Sequence, residues 1–143
     1  MTRRGTKLAH NDDGAAAIEA AIALPVLVTM IYGIFSLGQL FEANAGMQHA
    51  LGEGARYGTL CVAMTSSGCT LPTDTQISTR VTDKLFGTTN GTFDTPVVDS
   101  TAATTGGYKT ITVTYHQSMK FAFFTGPTID ITRSKRVYLA SGT

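Results

Sequence analysis

Hydrophobic and polar positions follow three successive patterns along this chain. From Ala20 to Phe41 there is a run of 22 residues without a charged side chain. As an α-helix it would span about 33 Å, close to the roughly 30 Å hydrocarbon core of a bilayer. It also exceeds the ~7–15 apolar residues of an ordinary secretory signal. The run is expected to cross a membrane. Ala15 to Ala23 is strongly helix-forming by propensity, and Pro25 predicts a kink or local loosening. Helix-compatible residues continue through Glu42, Met47, Ala50 and Leu51, so one helix from about Ala15 to about Leu60 is expected, its second half amphipathic and outside the bilayer.

That second half carries a stripe of small residues. Gly46, Ala50, Gly54 and Gly58 recur every four positions and stack along one side of a helix. Helical glycine costs about 1 kcal/mol relative to alanine. Three of them imply close backbone approach, either by a partner helix or by the protein's own sheet. The alternative is a helix that ends early, near Gly46 or Gly52.

Beyond residue 70 the period changes twice. Thr73 and Gln76 have capping-box spacing ahead of an apolar face of Ile77, Val81 and Leu85, with Gly87 available to end a short helix. Ile111, Val113 and Tyr115 then alternate with Thr110, Thr112 and Thr114, the pattern of a half-buried strand. Phe93 to Val98 and Ile129 to Leu139 read as weaker strands, and Pro96 argues for an edge. Gly106-Gly107 and Gly126-Pro127 mark turns between them. The fold class is α+β: a long N-terminal membrane-spanning helix extending into a small domain with a short helix and a three-stranded antiparallel sheet. Phe121, Phe123 and Phe124 crowd a loop, where burial against the long helix is expected and contact with a partner or the outer leaflet is the alternative.

Charge sets the orientation and removes some functions. Arg3, Arg4 and Lys7 precede the apolar run, and the first basic residue after it is Arg56, which places the N-terminal side in the cytoplasm. The near balance of 11 Lys+Arg against 10 Asp+Glu gives no electrostatic case for nucleic acid. Cys61 and Cys69 fall in the translocated part, where an oxidising compartment lets them pair. His10, His49 and His116 lack ligand spacing, and no HExxH, GxSxG, phosphate-loop or dinucleotide motif occurs. No enzyme activity, metal or cofactor is expected. Asn90-Gly91-Thr92 matches a glycosylation sequon but reads better as a turn.

One constellation remains, in "GAAAIEAAIALPVLVTMIYGIFSLGQLF". A basic leader ends in Gly14, Glu19 stands five positions later, and the apolar helix follows. In this the chain resembles the type IV pilin superfamily, and within it a TadE-like pseudopilin of the tight-adherence (Flp) pilus system; "ALGEGARYGTL" and "ITVTY" are similar in flavour. The resemblance implies cleavage after Gly14 by a prepilin peptidase, giving a mature subunit that begins at Ala15. It implies a bacterial inner-membrane protein, single pass, with a cytoplasmic leader (1–14), a spanning segment (15–41), a helix extension (42–60) and a periplasmic α+β domain (61–143). Its partners would be the peptidase, the membrane and other pilins or pseudopilins of the same machine. The length beyond the helix separates it from the short major pilins and points to a minor pseudopilin. Glu19 would lie about 6 Å along the helix from the new amino group. An intramembrane carboxylate costs roughly 2.5–3.5 kcal/mol and seeks a partner. The free amine of Ala15, its own or a neighbour's, is the expected one. Two other readings stay open: a signal-anchored periplasmic binding protein with Glu19 incidental, and a secreted domain released after Ala45 at the Ala43-Asn44-Ala45 site.

Overall fold

The helix-forming run and its continuation make one helix. α1 spans Asp12–Gly58, 47 residues, uninterrupted at Pro25 and continuing past Gly46 and Gly52. At 1.5 Å per residue it is about 70 Å long. This is the computed structural model of the chain, which describes residues 12–66, 68–104, 107–121 and 124–139. Arg3, Arg4, Lys7 and His10 of the leader, together with Gly106 and Phe123, lie outside the described residues. The helix is long and apolar enough to cross a membrane. Its first half stands free, with Ile18, Ile22, Val26, Met30 and Phe35 exposed, whereas Ala43, Met47, Ala50 and Leu51 in its second half are buried.

The remaining chain covers that second half. β1 (Ala63–Thr65) and β2 (Gly68–Thr70) form an exposed antiparallel hairpin. α2 (Asp74–Thr82) follows, started by the expected capping box: the Gln76 amide donates to the Thr73 hydroxyl, and the Thr73 amide donates to Gln76 Oε1. The helix ends at Thr82, before Gly87. Gly87 instead makes a bend at φ 89° against Ala43 of α1, a conformation and an approach that suit a residue without Cβ.

β3 (Gly91–Phe93), β4 (Val97–Asp99), β5 (Tyr108–Lys120) and β6 (Thr125–Tyr138) build the main sheet. β5 is its centre, with β6 antiparallel along one side and β3 and β4 in series along the other. The expectation of three strands therefore falls short, since the main sheet has four and the β1–β2 hairpin adds two more. The reason lies at Asp94-Thr95-Pro96. Phe93 pairs with Tyr115 but Val97 pairs with Thr112, a one-residue slip that divides a single edge into two short strands. Gly126-Pro127, expected as a turn, lies inside β6. Pro127 needs no ladder donor at an outer edge, and it stands opposite the register irregularity between Ser118 and Lys120.

Two layers result. One sheet face, carried by Ile111, Val113, Tyr115 and Val137, closes on α1 and on Ile77 and Val81 of α2 to form the core. The alternating residues Thr112, Thr114, His116 and Ser118 line the opposite face. Asp74 at the start of α2 accepts from Lys109 Nζ at 2.6 Å and from Ser100, and these bonds hold its pKa below the ordinary carboxylate value.

Candidate functional site

The exposed end of α1 holds the residues singled out by sequence. Gly14, Ala15 and Glu19 are all solvent-facing. Glu19 heads a shallow groove along the helix that continues through Ile22, Ala23, Val26 and Met30. Among the described residues it has no hydrogen-bond or ion-pair partner. A Cβ built on Gly14 would meet nothing within 4 Å. Packing among the described residues therefore does not explain glycine at 14, nor a carboxylate at 19.

The three glycines of the stripe contrast with Gly14, whereas a Cβ on Gly38 would likewise meet nothing within 4 Å. A Cβ on Gly46 would strike the carbonyl oxygen of Phe86, one on Gly54 the side chain of Val81, and one on Gly58 would lie 2.9 Å from Val137 Cγ1. Ala50 is fully buried on the same stripe. Of the two occupants the sequence allowed, the stripe receives the protein's own domain: the segment after α2, α2 itself and β6. The helix and domain are joined by polar contacts too. Gln117 Nε2 donates to the Ser36 carbonyl at 3.2 Å, Asn90 Nδ2 to Gln39 Oε1 at 2.6 Å, and Arg133 Nε to Asn44 Oδ1 at 2.9 Å. Asn90 thus serves at the turn before β3 and is held against α1.

The domain reaches the helix earlier than the sequence division suggested. Phe121 Cε1 lies 3.6 Å from the Cβ position of Gly33, and Ser36 is buried, both within the segment 15–41. A signal for this was present: Ser36 and Gln39, three apart on one face, are polar residues inside an apolar run. Phe121 stacks on Phe124 with ring centroids 4.6 Å apart, and Phe124 remains 56% exposed.

Cys61 and Cys69 are bridged, with Cα atoms 5.4 Å apart, at the base of the β1–β2 hairpin. On the chain-entropy argument a loop this short contributes about 2.5 kcal/mol.

An arrangement that sequence reasoning did not find lies on the outer face of the sheet. His116 Nδ1 is 2.7 Å from Asp130 Oδ1 and its Nε2 is 3.0 Å from Asp94 Oδ2. Asp94 first and Asp130 second raise the imidazole pKa above its ordinary value. Three stretches distant in sequence meet there, because His116 pairs directly with Asp130 and Asp94 follows β3 on the other side of β5. Across the core face, burial raises the Tyr115 hydroxyl pKa, with Glu42 adding to the effect. Among the described residues no group of His, Cys, Asp and Glu is arranged to hold a metal ion.

No curated protein and no solved structure matches the chain. A family model does: residues 14–56, from the exposed Gly14 past Gly46, Ala50 and Gly54 to the last turn of α1, match the family described as TadE-like protein.

Proposed function

We propose that this chain is a minor pseudopilin, a structural subunit that primes or joins assembly of a tight-adherence (Flp) pilus after its leader is removed behind Gly14. The observation that supports the reading is the exposed pair Gly14 and Glu19 at the head of the helix that matches the TadE-like model. Gly46, Gly54 and Gly58 are accounted for by contacts with the domain, whereas among the described residues nothing packs against Gly14, or against Gly38 within the apolar run. A helical glycine without a packing reason, at the junction of leader and apolar helix, suits recognition by a prepilin peptidase. Glu19 adds to this. Among the described residues its carboxylate has no partner, on a helix that the match to TadE-like proteins associates with pilus systems. Once Ala15 carries a free amine, a neighbour's amine supplies the counter-charge, and the pairing sets axial register between subunits.

In this reading the leader is cytoplasmic, α1 crosses the inner membrane, and the domain that follows is periplasmic. Release after Ala45 is the weaker alternative. Such a cut would remove Ser36, Gln39, Ala43 and Asn44, all of which hold the domain to α1.

Three variants test the proposal in cells containing the pilus machinery. Gly14→Leu is expected to leave a membrane-held precursor. Glu19→Leu is expected to be cleaved to a chain beginning at Ala15, to insert at least as well as wild type, and to fail in pilus formation; Glu19→Asp recovers part of it. Wild-type piliation by Glu19→Leu would reject the pairing role.

A further inference from the structure

We infer that the Phe121–Phe124 stack, between the end of β5 and the start of β6, is a second membrane anchor, seated in the outer leaflet beside α1. The inference rests on the reading that α1 crosses the bilayer, and it adds where the folded domain sits.

Helix length decides the geometry. The hairpin tip meets α1 at Gly33 through Phe121. A hydrocarbon core of roughly 30 Å takes about 20 helical residues. If it begins at Ala15 it ends near Phe35, and if it begins at Ala20 it ends near Leu40. Both placements put the level of Gly33, and therefore the tip, inside the lipid boundary.

The surface chemistry agrees with that depth. Ile34, Phe35 and Phe41 of α1 are each 68–70% exposed, so the apolar face of the helix continues past the tip. The Phe121–Phe124 stack extends that surface onto the sheet. Between helix and hairpin lies a cleft of about 520 Å³, lined by Ile31, Tyr32, Phe35, Ser36 and Gln39 of α1 and by Asn90 and Lys120. Apolar side chains beside amides and one ammonium suit a phospholipid, its acyl chain along Ile31 and Phe35 and its phosphate met by the Lys120 ammonium reaching along the cleft to the interface. Tyr32 and Lys120 are residue types that favour the interface.

The chain has no tryptophan, so single tryptophans can report depth. The full chain is reconstituted in phosphatidylcholine vesicles with bromine at shallow or deep acyl positions. Ile22→Trp reports whether α1 spans, Phe124→Trp and Phe35→Trp report the tip and cleft, and Val97→Trp serves as the aqueous reference. The expected result is strong quenching of Ile22→Trp by deep bromines, strong quenching of Phe124→Trp and Phe35→Trp by shallow ones, and none for Val97→Trp. Quenching of Ile22→Trp without quenching of Phe124→Trp would overturn the anchor and leave the spanning helix intact. Blue-shifted Phe124→Trp emission that resists lipid quenching and depends on protein density would instead assign the cleft to a second copy, also overturning the inference. No quenching at Ile22→Trp would remove the spanning helix and the anchor together.

Discussion

Replacing Gly46 by alanine should destabilise the folded domain, although the same change elsewhere in a helix is usually favourable. Glycine to alanine in a helix interior gains about 1 kcal/mol. At Gly46 the new Cβ would be driven into the carbonyl of Phe86, with the Phe86 carbonyl carbon and amide nitrogen at 3.1 and 3.2 Å. These are backbone atoms and cannot rotate aside, so overpacking at the upper end of the ~1–3 kcal/mol range applies. The net loss is about 2 kcal/mol. Gly52 provides the internal control, because its nearest neighbour would be the flexible end of Lys135 at 3.8 Å. Gly52→Ala should therefore gain about 0.5–1 kcal/mol. A domain of this size shifts by roughly 4–8 °C per kcal/mol. Thermal unfolding of the full chain in detergent, read by protease resistance, should show Gly46→Ala lower by about 10 °C and Gly52→Ala higher by a few degrees. A Gly46→Ala variant as stable as wild type would refute the claim that close backbone approach requires glycine there.

Three further outcomes follow from the same contacts. Gly54→Leu should loosen the domain by displacing Val81 and Ile111 while membrane insertion stays normal; unchanged protease resistance would count against it. Alkylation without reductant should modify neither Cys61 nor Cys69, and labelling of both in the mature protein would reject the bridge. The His116 contribution runs opposite to that of a paired carboxylate. Its folded pKa is raised, so its stabilisation is fully present below the ordinary histidine value of about 6.5 and is lost as pH rises through the folded value. Wild type should lose stability across that window and His116→Gln should not; parallel pH profiles would dismiss the clamp.

How much of this was legible in sequence depended on how local each signal was. The apolar run and the Thr73–Gln76 capping box are local and were readable. So was the alternation around Ile111, although it gave no sign that β5 reaches Lys120. The glycine stripe announced a close approach but not its occupant, since a partner helix and the protein's own α2 impose the same demand for small side chains. The short strands escaped notice for physical reasons. β1 and β2 have three residues each and bury nothing, so no hydrophobic period marks them. The slip between β3 and β4 is a matter of pairing, which one strand's pattern cannot reveal. The His116 triplet was hidden likewise, because its carboxylates come from 22 residues before and 14 after. Gly14 and Glu19 are the reverse case: their spacing is plain in sequence, and among the described residues no contact calls for either.

The N-terminus of the mature chain bears on all of this most directly. The protein should be isolated from membranes of cells that contain the pilus machinery and its intact mass determined, with the first residues sequenced. A chain that begins at Ala15 is the expected result. A chain that retains residues 1–14 would contradict processing at Gly14, and a chain that begins at Gly46 would make this a released domain rather than a pilus subunit.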